Sequence, residues 1–136
     1  MASFLSLGLS NAPEISPLPE GEYPLVIKTA KVGSKEGTDT SWIQVILEVP
    51  DEPTVPDIFH SLFLPSDSRS EKENAQTLSH IKSFMEAFGM EVADDLPMED
   101  DGTLIGWQGN TGSGILVIDP KFSTRNKISK ILNPRR

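Results

Sequence analysis

Residue types that perform covalent or metal chemistry are sparse in this chain. Its 136 residues include two histidines, His60 and His80, and no cysteine. A disulfide framework, a thiolate zinc site and a cysteine nucleophile are therefore excluded. Neither histidine stands with an acid and a serine in a pattern that reads as a triad, and His80, in a helical stretch, reads as a surface or packing residue. Asp94, Asp95, Glu99, Asp100 and Asp101 invite a calcium reading. However, placing Gly102 at the sixth position of an EF-hand loop puts Gln108, not the required glutamate, at the twelfth. The run "GNTGSG", residues 109 to 114, has the composition of a phosphate loop but lacks its Gly-Lys-Ser/Thr ending and opens no helix; it reads as hairpin or barrel-corner glycines. The sequence predicts no enzyme, no metal and no cofactor.

Non-covalent chemistry is better represented. Single-strand nucleic-acid binding needs cations for the phosphates and aromatic faces for the bases. Lys28, Lys31 and Lys35 lie along and just beyond the first apolar alternating stretch, "LPEGEYPLVIKTAKVG". Lys121, Arg125, Lys127 and Lys130 lie near the C-terminus. Candidate stacking residues are Trp42, Phe59, Phe63, Trp107 and Phe122, with His60 a weaker one. The net charge of −8 would ordinarily argue against nucleic acid, but the charge is unevenly distributed. From Lys121 to Arg136 there are six cations and no acid, which leaves six cations against twenty acids, or −14, in residues 1 to 120. Seven of those acids fall between Glu86 and Asp101. Either these are a solvated acidic loop and a basic tail, or they are separate faces for separate partners.

The elements that must position these groups follow from periodicity. The length fits one domain, and clear periodic segments argue against disorder despite an apolar fraction of 37%. No run of 18 apolar residues marks a membrane span, and the N-terminus lacks the basic and long apolar regions of a signal peptide. Residues 1 to 20, with Pro13, Pro17 and Pro19, read as an extended arm. Residues 21 to 134 read as the domain, and 135 to 136 as a basic end. Strands are predicted at 22–32, 41–49, 57–64, 115–119 and 127–132, the last two joined through Pro120 and Thr124, with no internal repeat. The start of the glycine-rich stretch "LIGWQGNTGSG" before residue 115 is read as extending the fourth strand through a bend. Ser70-x-x-Glu73 has the form of a capping box. Ala75, Leu78, Ile81, Met85 and Phe88 then recur at helical spacing, with Gly89 as the stop. Three strands, a helix and two strands is the ground plan of a mainly β, five-stranded OB-fold-like barrel with its helix between strands three and four.

Strand parity sorts core from surface. Ile43, Val45, Leu47 and Val49 share the core face of strand two, so Trp42 faces outward beside Gln44, Ile46 and Glu48. Ile58, His60, Leu62 and Leu64 share the aliphatic face of strand three, which leaves Phe59 and Phe63 outward. A bulge that shifted this parity would bury them instead.

These residues carry a resemblance. "LPEGEYPLVIKTAKV", the helix "LSHIKSFMEAFGM", the Leu104-x-Gly106 pair and "RNKISKIL" resemble, in order and over residues 18 to 134, a family of phage-encoded OB-fold single-stranded DNA-binding proteins. Gly21, Tyr23 and Ile27 match its structural positions, and Asn126 with the basic run after it matches its closing strand. The resemblance implies sequence-tolerant binding of single-stranded DNA in replication or recombination within the host cytoplasm, without catalysis. Lys28, Lys31, Lys35, Lys121, Arg125, Lys127 and Lys130 would meet phosphates. Trp42, Phe59, Phe63, Trp107 and Phe122 would stack on bases. Many such proteins end in an acidic partner-recruiting tail, whereas this chain ends "NPRR"; the acidic segment 86–101 is the alternative surface for replication or recombination proteins. The competing expectation is a protein-interaction or virion structural module that forms a homo-oligomer through the arm and the outward aromatics.

Overall fold

Alternating apolar residues in five stretches give five antiparallel strands, and one amphipathic stretch gives the only α-helix of the described residues. The computed structural model describes residues 3–11, 16–122 and 125–132. The elements are β1 (Gly21–Ser34), β2 (Ser41–Glu48), β3 (Ile58–Phe63), α1 (Glu71–Ala87), β4 (Thr111–Ile118) and β5 (Asn126–Leu132), with a short 3-10 turn at Leu9–Asn11 in the arm. The sequence expectations at Thr124, residues 1–2 and 12–15 of the arm, and the basic end Arg135–Arg136 lie outside the described residues.

The strand order is β3-β2-β1-β4-β5. β1 organises the sheet because it is long enough to serve two partners. Its first half, residues 21–26, pairs with β4, and its second half pairs with β2. Between them, a register irregularity at Ile27/Thr29 bends the strand, and a second at Ile115/Leu116 bends the β4–β5 pair. Bulges of this kind sharpen local twist, which curls the sheet strongly. The result is an OB-fold-like half-barrel with α1 between β3 and β4 in the chain. Beyond β4, the free edge of β1 is covered by the segment 102–110: Val32 N–H donates to Gly102 O, Leu104 N–H to Ala30 O, and Gly109 N–H to Ile27 O.

The core confirms the predicted parity of β2 and β3. Ile43, Val45, Leu47, Ile58 and Leu62 are buried with Leu25, Ile27, Ala30 and Leu116. Phe84 joins this core to the helix. Its ring stacks on His60 (5.7 Å between centroids, 15° between planes), Phe88 (4.5 Å, 22°) and Trp107 (5.9 Å, 18°). Burial holds the His60 imidazole below its ordinary pKa, because a charged ring would lose its hydration there.

α1 starts as predicted. Ser70 Oγ accepts from Glu73 N–H, and the Glu73 carboxylate accepts from Ser70 N–H. The helix stops before Gly89, which takes a left-handed φ of 71°. The buried stripe differs from the expected one. Ile81, Phe84, Met85, Ala87 and Phe88 are buried, but Ala75 is exposed and Leu78 is 55% exposed. Only the C-terminal half of the helix lies over the sheet, so the spacing marks a face that its first turns have nothing to bury against.

β4 begins at Thr111, four residues earlier than the apolar run suggests, because its glycines are packing sites rather than breaks. A Cβ on Gly112 would stand 3.0 Å from the Phe88 ring and 3.1 Å from Ala87 O; one on Gly114 would stand 3.0 Å from Leu25 Cδ1 and 3.1 Å from Lys130 O. Asn126, the one buried polar side chain of the described residues, ties down the arm. Its Oδ1 accepts from Leu18 N–H, and its Nδ2 donates to Leu18 O and Val117 O. Among the described residues no helix is long and apolar enough to cross a membrane.

Three outcomes test this packing. Gly112→Ala overpacks the helix end against the sheet and should lower unfolding free energy in urea by about 1–3 kcal/mol. Asn126→Ala removes three hydrogen bonds, leaves the Leu18 backbone groups unpaired, and should cost about 2 kcal/mol by the same assay. For His60, the unfolded chain takes up a proton near its ordinary pKa of 6.5 that the folded chain resists. The stability tied to neutral His60 is therefore complete above about pH 6.5 and declines as pH falls through that value. In melting curves between about pH 7 and pH 5, where histidine titrates, His60→Phe should flatten the acid-side decline.

Candidate nucleic-acid interface

The outer surface of β1–β2–β3 is laid out in three rows set by strand register. In the first, Gly33 pairs with Trp42, and Trp42 with Phe63. Trp42 lies flat over Gly33, where a Cβ would come within 3.4 Å of the indole, and meets Phe63 edge-on at 6.5 Å and 62°. This explains how an outward tryptophan is tolerated on a central strand: one face of its ring is covered by the backbone of its neighbour, and the residue is half-buried. The second row is Lys31, Gln44 and Ser61, in which Ser61 Oγ donates to Gln44 Oε1 at 3.3 Å. The third is Thr29, Ile46 and Phe59.

Both phenylalanines of β3 remain open and each carries a guanidinium. Phe59 is 45% and Phe63 46% exposed. The Arg69 guanidinium carbon sits 5.3 Å from the Phe63 ring centre, and that of Arg125 sits 5.2 Å from Phe59 and 4.1 Å from Phe122. Such distances fall within cation–π range. Arg125 thus joins the β4–β5 loop to β3 and sets Phe122, itself 50% exposed, beside Phe59. The two ends of the aromatic row are bordered by the β1–β2 turn, which contains Lys35, and by the β4–β5 loop, which contains Lys121, Phe122 and Arg125. Asp39 of that turn accepts hydrogen bonds from Ser68 N–H and Oγ–H, and these bonds hold its carboxyl below its ordinary pKa.

The predicted site residues divide into four groups. Trp42, Phe59, Phe63, Phe122 and Arg125 come together on or beside one face. Trp107 does not: it is 2% exposed, sealed beneath Phe84, and belongs to the core rather than to a stacking surface. The third group is the β1 cations, whose charge is compensated. Lys28 Nζ lies 2.9 Å from Asp57 Oδ2, the one ion pair among the described residues, and this partner raises its pKa. Lys31 stands against the turn Glu99–Gly102. In that turn Asp101 Oδ1 accepts from Thr103 N–H, which lowers the Asp101 pKa, and the charge of Lys31 helps to do so. Lys35, Lys121, Lys127 and Lys130 form the fourth group and are exposed. Lys127 follows Arg125 by two residues at the start of β5, whereas Lys130 lines a cleft between β3, α1 and β5 that Phe63 and Arg69 also line.

Parity placed Gln44 on this surface, between Trp42 and Ile46, but sequence reasoning missed Arg69 as a member of it. Arg69 had no signal, because its contact with Phe63 depends on how the β3–α1 loop folds back. The acidic stretch is likewise more structured than a solvated loop. Glu99 N–H donates to Thr103 O, Ile105 N–H donates to Pro97 O, and Met98 bridges to Leu104, forming a small hairpin whose tip is acidic. Among the described residues no three His, Asp or Glu side chains gather as metal ligands. A scan against protein-family models returned no matching family, and a search of the curated proteins returned no match.

Proposed function

We propose that this protein binds single-stranded DNA with little sequence preference, on the outer face of β2 and β3 and the adjoining β4–β5 loop. The observation that carries this reading is the pairing of Phe63 with Arg69, and of Phe59 and Phe122 with Arg125, on the strands that OB-fold-like barrels use for oligonucleotides. Each pair joins a flat apolar face for a base to a cation within reach of its phosphate. Trp42 extends the platform by one ring. Stacking of this kind accepts any base, because every base presents a π-face, so the reading is sequence-tolerant.

Charge distribution orients the strand. The acidic tip of the Glu99–Gly102 hairpin lies beside Lys31 and repels phosphate from the β1 side. Lys121, Arg125 and Lys127 attract it toward the opposite side. A strand therefore crosses β2 and β3 toward the β4–β5 loop and does not run along β1. Lys28 is a weak phosphate partner, since a phosphate would first have to displace Asp57. In this role the protein sequesters strands in replication or recombination and carries out no reaction.

The test is fluorescence anisotropy of a labelled oligo-dT beside the matching duplex. If about four phosphates are neutralised at a slope near −0.7 each, affinity should fall about 50-fold between about 50 and 200 mM salt. Trp42→Ala and Phe63→Ala should each weaken binding by about 1–3 kcal/mol while leaving the salt slope intact. Lys127→Ala should reduce the slope by about 0.7, whereas Lys28→Ala should leave it nearly unchanged. Equal affinity for duplex, or no binding at micromolar protein, would contradict the proposal.

A further inference from the structure

Two features unused by the nucleic-acid reading are complementary. The first is the arm. In sequence, Leu5, Leu7 and Leu9 alternate with Ser6 and Gly8, the period of a strand with one apolar face. In the free arm Gly8 takes a left-handed φ of 63° and Leu9–Asn11 a 3-10 turn, which strand addition would open. Yet these leucines are 83%, 61% and 73% exposed, and Phe4 is 89% exposed. Four large apolar side chains within six residues, all facing water, form a segment that requires a partner surface. Their segment, residues 3–9, carries no charged side chain.

The second feature is the open side of the half-barrel. β3 and β5 end the sheet order, so each has one edge without a ladder among the described residues. Between them, beneath α1, runs a cleft of about 690 Å³. Leu62, Phe63, Phe84 and Ile131 give it an apolar lining, beside Arg69, Ser129 and Lys130. Bare edges offer backbone hydrogen bonds, and an apolar lining offers pockets for alternate side chains, which are the two requirements of strand addition. An uncharged strand with alternating leucines meets both.

We propose that the arm of one copy adds as a strand at the β3–β5 cleft of a second copy, with the Leu5–Leu7–Leu9 face against its apolar lining. The donor is a second copy because the chain leaves its own arm leucines in water while its own cleft lies open. The root of the arm is fixed, since Leu18 is clamped by Asn126 at the start of β5. From Leu9 to Leu18 an extended chain spans up to about 30 Å, enough to leave one molecule and enter another. Reciprocal exchange of identical arms closes a two-fold dimer. This inference does not rest on nucleic-acid binding, although Phe63 and Arg69 line both the cleft and the aromatic face of β2–β3.

The chain has no cysteine, so introduced thiols report single positions. A full-length chain carrying Leu7→Cys is mixed with a size-tagged full-length chain carrying Ser129→Cys and oxidised, beside a control partner carrying Lys35→Cys. The expected result is a disulfide-linked heterodimer with the Ser129→Cys partner and little with the control. Light scattering of the unaltered chain should give twice the monomer mass of 14.9 kDa, and the Leu5→Glu/Leu7→Glu variant should return the monomer mass. A monomer at micromolar concentration overturns the proposal, as does a dimer that survives the glutamates or equal cross-linking to the control. Concentration-independent cross-linking within a single Leu7→Cys/Ser129→Cys chain overturns it as well, because the arm would then fill its own cleft.

Discussion

The aromatic stack centred on Phe84 is the contact on which the rest of the molecule depends. A five-stranded sheet that curls but does not pair its last edges needs something other than backbone hydrogen bonds to close its interior. Phe84 supplies it, joining α1 to His60 on β3, to Phe88 at the helix end, and to Trp107 in the segment that covers β1. Stacked rings at these separations gain energy beyond the area they bury. The stack also dictates sequence elsewhere: Phe88 comes so near β4 that even a methyl group at position 112 would crowd its ring.

The outer face follows from the inner one. With His60 held inward, the pleat of β3 sends Phe59 and Phe63 outward, and pairing with β2 brings Trp42 beside Phe63. Trp107 is drawn in the opposite direction, so of the two tryptophans only Trp42 is at the surface. Arg69 and Arg125 approach the exposed rings from loops on either side of β3. Exposed aromatics are thus kept soluble by cations rather than by burial, and the surface remains usable. An acidic protein can in this way present a locally cationic, aromatic face, with three acids, Glu99, Asp100 and Asp101, at the hairpin tip near Lys31.

Most of the fold was legible in the sequence because its signals are local. Alternation gave five strands and the parity of β2 and β3, and the Ser70–Glu73 pair gave the helix start with its hydrogen bonds as expected. Where local pattern ran out, so did the reading. Helical spacing cannot say how much of a helix overlaps its sheet, so Ala75 and Leu78 were assigned to a face that only later turns bury. Gly112 and Gly114 look like loop residues until Phe88 and Leu25 are seen against them. Trp107 sits among glycines with no period to orient it, and the Lys28–Asp57 pair joins residues far apart in the chain. Of the candidate site, the strand aromatics were therefore readable from parity, while Trp107 and the compensated β1 lysines were not.

Trp42 offers the most direct measurement of the central claim, because the other tryptophan is sealed from solvent. Acrylamide quenching of the unaltered chain should show one accessible and one protected population. Saturating oligo-dT should quench the accessible population and shield it from acrylamide, since a base stacked on the indole excludes the quencher. If oligo-dT binds and Trp42 remains as accessible as before, the strand lies elsewhere, and the outer face of β2–β3 is not the binding surface.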